Sequence, residues 1–434
     1  MCQPVAFQLV VRILLRCLLA CTCWTSLPAV AAAPDSSVSA SQPKGSLVII
    51  GGALRGDNAA VWERMVQLAG GKGARIAVFA SASASPDKTG QALVERFRHY
   101  GAQAFFVPVA PRLAGTDYQA AAEDPALAAA VRAAGGAFFS GGDQARITRA
   151  LRRPDGSNTR ILDALWELYR GGGMIGGTSA GAAIMSSTMF GHPKPVLATL
   201  KLGLDEGGEI APGLGFIGDE VFIDQHLLVR GRFARMLPAM LKKGYQLGLG
   251  IDENTAMVVA PSREVEVIGY RGALLVDLSK AVAQDGPLEL SNVRLSYLDN
   301  GDRFHLRTHV FTPAPDKRDN RIDPARPYYR EPLFSADILG HSTVVELMSR
   351  LIDSDQSEAI GLSLDSPHAV QPELGFEFRL SRSHDSVGYQ SALTEQYSVY
   401  KLRLDIRPIV VQHPLYQYWR LDAVAGGGRV GAAR

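Results

Sequence analysis

Ala137-Phe138-Phe139-Ser140-Gly141-Gly142-Asp143-Gln144 is a short apolar run that stops at two glycines and turns polar, and Gln144 to Arg152 follows with helical spacing. The apolar part is too short for a helix and is bounded by turn residues, so it reads as a buried strand feeding a helix. The same unit recurs through the N-terminal half. Leu47-Val48-Ile49-Ile50 ends in Gly51-Gly52 and precedes the helical pattern Ala59 to Leu68. Ile76-Ala77-Val78-Phe79 precedes Thr89 to Tyr100, and Ala104-Phe105-Phe106-Val107 precedes Tyr118 to Ala134. Ile161 to Tyr169 is helical and leads into Met174-Ile175. Continuous apolar strands alternating with helices predict an α/β fold with a doubly wound, mostly parallel sheet covered on both faces. Ligands of such sheets bind beyond the carboxyl ends of the strands, which here are the Gly-Gly turns.

From about Ala283 the period changes to two. Val293-Arg294-Leu295-Ser296-Tyr297-Leu298, Phe376-Glu377-Phe378-Arg379-Leu380 and Val399-Tyr400-Lys401-Leu402-Arg403-Leu404 predict half-buried antiparallel strands. The expected organisation is therefore a polar Ser/Pro linker over 34–45, an α/β domain over 46–282 and a β-rich C-terminal extension over 283–434. A Pro-rich stretch, 313–328, lies within that extension, and its end, Ala423 to Arg434, is rich in Gly and Ala. The 434 residues allow about two domains, and 47% hydrophobic with 20% charged residues suits a packed core.

Residues 1–33 hold no acid, two arginines (Arg12 and Arg16), an apolar run from Ile13 to Ala20 broken by Arg16, and the small-residue run Ala29 to Ala33. This pattern predicts a signal peptide cleaved after Ala31 or Ala33, hence a secreted protein, extracellular or periplasmic. Leu18-Leu19-Ala20-Cys21 is an imperfect lipobox, the alternative being a lipid on Cys21. A spanning helix needs about 20 unbroken apolar residues, which neither this segment nor any later one supplies. Without Arg12 and Arg16 the basic residues equal the 43 acids in number. Neutrality argues against nucleic acid as a partner, because phosphate binding favours a basic excess. All four cysteines lie within residues 1–33, so the cleaved chain has no thiol nucleophile and no disulfide. No cofactor and no metal are expected; a homodimer is the assembly entertained.

Gly177-Thr178-Ser179-Ala180-Gly181 follows an apolar strand and opens the helical pattern Ala182 to Met185. A G-x-S-x-G in that context is a nucleophile elbow: small flanking residues let a strained turn present the Ser179 hydroxyl at the sheet edge. A serine-capped helix start is the plainer alternative. The N–H of Ala180 and those of the Gly141-Gly142 turn, Gly142 foremost, are oxyanion candidates. Gln144 is placed to hold a substrate amide, and Asp143 to cap the helix after it. A serine needs a base. His226, in Ile223-Asp224-Gln225-His226 after the strand-like Glu220-Val221-Phe222, is the candidate, with His192 as rival. Arg230, Arg232 and Arg235 follow on an expected helix, either as a solvated basic face or as partners of a substrate carboxylate. Gly250-Ile251-Asp252-Glu253-Asn254-Thr255 places Asp252 or Glu253 at the mouth of the site, or is a polar turn.

Taken together, Gly-Gly-Asp-Gln at 141–144, Gly-Thr-Ser-Ala-Gly-Ala at 177–182, Asp-Gln-His at 224–226 with Arg230 and Arg235, and Gly-Ile-Asp-Glu-Asn-Thr-Ala at 250–256 resemble the cyanophycinases. These are serine peptidases related to aspartyl dipeptidase, or peptidase E, with a glutaminase-like fold. The resemblance spans about residues 45–262, and the export segment and long C-terminal part point to the extracellular branch. It implies hydrolysis of cyanophycin, a polyaspartate whose side-chain carboxyls carry arginine, to β-Asp-Arg dipeptides. It also implies Ser179 as nucleophile and His226 as base, with Gln144, Asp224, Gln225, Arg230, Arg235 and Glu253 lining the substrate pocket. The substrate offers a guanidinium and a carboxylate; Glu253 is expected on the first and Arg230 or Arg235 on the second. The family's triad acid lies between the nucleophile helix and the histidine. Phe190 to Leu204 holds no acid, and among the next ones, Asp205, Glu206 and Glu209, Glu206 is the expected member. The alternatives are an aspartyl-dipeptidase-like peptidase acting on small peptides and a catalytically silent binding module of the same fold.

Overall fold

The five expected runs form parallel strands β1 (Ser46–Ile50), β2 (Arg75–Phe79), β3 (Gln103–Val107), β4 (Gly136–Phe139) and β5 (Met174–Thr178), in spatial order β1-β5-β4-β2-β3. This computed structural model describes residues 43–205, 207–284, 286–412 and 414–416. The export segment, Cys21 and the Gly/Ala-rich tail lie outside the described residues. Leu47 and Ile49 of β1 enter one apolar cluster, whereas Val48 and Ile50 enter another. A strand buried on both faces has no polar alternate, which explains the unbroken apolar runs. Helices Ala59–Leu68 and Pro86–His99 supply the second cluster, while Gln144–Leu151 and Arg160–Arg170 supply the first. On the other side of β1 the sheet continues antiparallel with Thr255–Val259, Glu264–Gly269, Arg303–His305 and Phe311–Thr312.

A second sheet starts with the parallel pair Val221–Gln225 and Leu247–Ile251. It runs on antiparallel through Ala273–Asp277, Glu289–Leu298, Tyr397–Val410, Leu374–Ser381 and Glu358–Ser363. Leu333–Ser335 closes the edge in parallel. The three alternating segments of the C-terminal part are therefore strands. The 282/283 boundary, however, falls within a short strand of this sheet, Val282–Gln284, which pairs with Glu289–Leu298, and all described residues belong to one compact unit. One face of this sheet, with Val221, Ile223, Leu249, Ile251, Ala273 and Leu275, shares its apolar cluster with Leu47 and Ile49 of β1. The other face, with Phe222, Leu274 and Val276, is covered by helices Phe233–Lys243 and Thr343–Ile352.

Several local expectations are adjusted. The helix expected over Tyr118 to Ala134 is two helices, Tyr118–Glu123 and Pro125–Arg132. Pro125 disfavours a helical residue before it, and the Asp124 carboxylate accepts from Ala126 N and Leu127 N to start the second helix. Lys44 and Gly45, expected in the linker, are bound to the body by N–H donation to the carbonyls of Arg170 and Tyr169. The helix after His226 begins only at Phe233, so Arg230 and Arg232 sit in the turn before it and Arg235 on it. Among the described residues, no helix is long and apolar enough to cross a membrane.

Candidate active site

The β1–β5 register sets Ile50 beside Thr178, and the next residue, Ser179, donates its N–H to Ile50 O at 3.0 Å. There the chain reverses into the short helix Ala180–Ala183 with Ser179 at φ 53° and ψ −108°. Such a conformation costs an L residue on the order of 1–3 kcal/mol and persists where the surroundings impose it. The turn closes tightly: a Cβ on Gly177 would stand 2.2 Å from Gly181 O. Gly141, at the end of β4, lies against the Ser179 side chain, its own would-be Cβ 3.3 Å from Ser179 Cβ.

The second sheet brings the other half of the site. Parallel pairing of Asp224 with Gly250 and Gln225 with Ile251 leaves His226 and the pair Asp252-Glu253 emerging side by side from adjacent strand ends. His226, at φ 51°, donates its N–H to Gly51 O at 2.9 Å, which joins the carboxyl ends of the two sheets. The imidazole lies over Gly52, where φ is +118° and a Cβ would stand 2.2 Å from His226 Cε1. Ser179 Oγ is 2.7 Å from His226 Nε2, and His226 Nδ1 is 2.5 Å from Glu253 Oε1. A neutral imidazole protonated on Nδ1 satisfies both contacts, donating to the carboxylate and accepting from the hydroxyl. Asn254 fixes the Glu253 turn: its N–H donates to Gly52 O at 2.8 Å, and its side-chain oxygen accepts from Arg55 N at 3.0 Å and Asn58 Nδ2 at 3.0 Å. Ala53, Ser179, His226 and Asn254 are all non-glycine residues with positive φ at this one junction.

His226 is 7% exposed. Burial pushes its pKa below the ordinary 6.5, the hydrogen bond it donates to Glu253 opposes this, and the charges of Arg230 and Arg232 lower it further. The ring is thus neutral near pH 7, as a general base must be. Arg232 is itself brought down to about 10, chiefly by burial and then by Arg235, against the opposing charges of Asp224 and Glu253.

The structure redistributes the remaining expected residues. Glu206 lies outside the described residues, and the carboxylate on His226 Nδ1 is Glu253. Glu253 is consequently occupied by the imidazole and is not poised for a substrate guanidinium. Asp224 and Arg235 also leave the substrate pocket. They form a bidentate pair at 2.8 and 2.7 Å, each under 5% exposed, with the guanidinium over the Phe190 ring at 4.1 Å. Gln225 is buried, its side-chain oxygen accepting from Arg232 Nη1 at 3.0 Å. Gln144 donates from Nε2 to Phe190 O at 2.6 Å and so anchors the segment after the Ser179 turn. Asp143 caps its helix by accepting from Ala145 N at 2.9 Å. His192 sits in a turn bound to Gly208 O; the ring on Ser179 is that of His226. Arg230 is exposed beside the site. Gly52 and Asn254 were not among the expected site residues, although Gly52 is one of the strand-end glycines and Asn254 stands in the 250–256 motif.

No family model matches the chain. A cyanophycinase of Geminocystis herdmanii is 34% identical over 278 residues, covering 61% of this chain and 95% of that protein. Those of Synechococcus elongatus and Trichormus variabilis are 33% and 31% identical over 277 and 254 residues, each covered over 80% of its length. A solved peptidase from an acI-B1 actinobacterium superposes with a TM-score of 0.42 at 22% identity, over 61% of this chain and 98% of that one. With a relative above 30% identity matched over nearly its whole length, the chain belongs to the cyanophycinase family.

Proposed function

We propose that the protein is an exported serine peptidase that hydrolyses cyanophycin to β-Asp-Arg dipeptides through an acyl-enzyme. The observation that carries this reading is the unbroken line from Ser179 Oγ through the His226 ring to Glu253, with the serine on a strained strand-to-helix turn. Ser179 Oγ attacks the scissile amide carbon while His226 Nε2 takes the hydroxyl proton. Glu253 holds the Nδ1 proton and stabilises the imidazolium that forms. The negative oxygen of the tetrahedral intermediate is assigned to the N–H groups of Ala180 and Gly142, since the N–H of Ser179 is already donated to Ile50 O. Collapse returns the proton from Nε2 to the departing amine. A water molecule, deprotonated by the same nitrogen, then cleaves the ester and restores the serine.

Substrate choice rests on the cations. With Arg235 neutralised by Asp224, Arg230 and Arg232 leave positive charge beside the histidine, suited to the free carboxylate of the substrate's arginine unit. Export rests on the acid-free apolar segment within residues 1–33 and its small-residue end. Intact mass of the secreted chain tests this: a start near Ala32 or Pro34 is expected, and a lipidated Cys21 would place the protein on a membrane instead.

The activity is tested by incubating the purified protein with cyanophycin and identifying products by mass spectrometry. Wild type should release β-Asp-Arg dipeptides, and Ser179→Ala should retain less than about one part in a thousand of that rate. A wild-type protein that binds the polymer but neither cleaves it nor reacts with a fluorophosphonate would establish the silent binding module instead.

A further inference from the structure

Arg271 precedes the strand Ala273–Asp277, by which the second sheet continues past the strands of His226 and Glu253. Its Nη1 lies 3.0 Å from Asp252 Oδ2, 2.9 Å from His341 Nε2 and 3.2 Å from Ser342 Oγ. Asp252 has no exposed surface, and its other oxygen accepts from Leu228 N and Val229 N at 3.3 and 3.2 Å. A buried carboxylate needs a partner charge, and Arg271 supplies it. One side chain, the chain neighbour of Glu253, therefore grips the turn that follows His226, and the guanidinium holds that side chain in place. The main chain repeats the connection. Arg271 donates its N–H to Thr255 Oγ1 at 2.9 Å, and that hydroxyl donates to Glu253 O at 3.1 Å.

The C-terminal part presses on the same turn. Ser342 donates its N–H to Leu228 O at 3.3 Å, and a Cβ on Gly231 would stand 2.1 Å from Leu339 O. Residues 339–342 thus back residues 227–232 and share the guanidinium that neutralises Asp252.

We propose that Arg271 is a positioning residue that sets the His226–Glu253 geometry through Asp252 and makes the 339–342 loop part of the catalytic unit. The proposal rests on the reading of Ser179, His226 and Glu253 as the hydrolytic triad. It assigns residues beyond 282 a task in the reaction, although none of them touches a reacting atom. Arg271 lies outside the four motifs that mark the family in this sequence.

The test uses the full chain with cyanophycin as substrate, active sites being titrated with a fluorophosphonate. Arg271→Gln leaves Asp252 without its cation and should lower kcat by about 30- to 100-fold, the scale of a misplacement near 1 Å, with KM changed by less than about threefold. Loosening Glu253 removes the hydrogen bond that raises the His226 pKa, so the ascending limb of the kcat/KM profile should move to lower pH. Arg271→Lys keeps the charge and should recover most of kcat. The double substitution His341→Ala with Ser342→Ala keeps the Asp252–Arg271 pair and should lower kcat by about three- to tenfold. It carries the test if Arg271→Gln does not fold. Wild-type kcat and an unmoved limb in Arg271→Gln, or in the double variant where that one fails to fold, would overturn the proposal and leave Arg271 a packing residue. Failure of the triad reading shows itself differently, as a wild-type protein whose Ser179 does not label.

Discussion

Adding one methyl group at Gly52 should disable the site although no reactive side chain is replaced. A Cβ there would stand 2.2, 2.4 and 2.8 Å from Cε1, Nε2 and Nδ1 of His226. Opening the shortest of these to an ordinary 3.4 Å contact needs a displacement of roughly 1.2 Å. The ring has no slack for it, being held at 2.7 Å by Ser179 and at 2.5 Å by Glu253, while the main-chain N–H of His226 is bound to Gly51 O. A ring that lifts by that much stretches both contacts toward the limit at which a hydrogen bond counts. Gly52→Ala should therefore lower kcat/KM by about 10²-fold, equivalent to ~2.7 kcal/mol of transition-state stabilisation. The backbone adds a second cost. At φ +118° an alanine is strained by about 1–3 kcal/mol, visible as a lowered midpoint in urea unfolding. The assay is the second-order rate of fluorophosphonate labelling alongside cyanophycin turnover, because labelling reports serine activation without polymer binding. Labelling and turnover within about threefold of wild type would refute the argument: the imidazole would not be seated on Gly52.

Two further outcomes follow from the charges around the histidine. The kcat/KM profile should rise with pH through a midpoint below 6.5, since burial, Arg230 and Arg232 together disfavour imidazolium; Arg230→Gln should move that midpoint upward, less so at high salt, and raise KM. Arg235→Ala should instead cost about 3–5 kcal/mol of stability, measured by urea unfolding, because it leaves Asp224 charged and unpaired in the interior. A stable Arg235→Ala variant with a raised KM would return Arg235 to the substrate pocket.

What could be read from the sequence was whatever is encoded over a few consecutive residues. A strand ending in Gly-Thr-Ser-Ala-Gly already contains the turn that lifts Ser179, and Asp-Gln-His after an apolar run already places His226 at a strand end. Glu253 as the partner of Nδ1 depends on the parallel pairing of Val221–Gln225 with Leu247–Ile251, a non-local contact that no spacing announces. The Asp224–Arg235 pair was within reach and was missed. In the strand Val-Phe-Ile-Asp-Gln, period two puts Asp224 on the face of Phe222, which packs under the helix carrying Arg235, and away from Val221 and Ile223. Reading charge as a sign of substrate contact overrode that periodicity. In the C-terminal part alternation disclosed the strands, but not that they extend the sheet bearing the histidine. The helix Thr343–Ile352 escaped notice although Val344, Leu347, Met348 and Leu351 recur at helical spacing on its buried side.

Placing the reactive groups at the junction of two sheets has an electrostatic consequence for the proposed chemistry. The nucleophile comes from the first sheet and the base and acid from the second, so alignment depends on the contact between sheets, chiefly His226 N–H on Gly51 O. The same junction carries the charges of Arg230 and Arg232, offset only in part by Glu253, because the buried carboxylate nearby is spent on Arg235. In the free protein burial first, and then those cations, hold the imidazole neutral and able to accept a proton, at the expense of its basicity. A substrate carboxylate docking against them would offset their field at the ring and raise the affinity of Nε2 for the proton of Ser179. Binding of the correct anionic unit would then strengthen the base at the moment it is needed, whereas an uncharged analogue would leave it weak. Selectivity would appear in kcat as well as in KM, because the cations that recognise the substrate also tune the histidine.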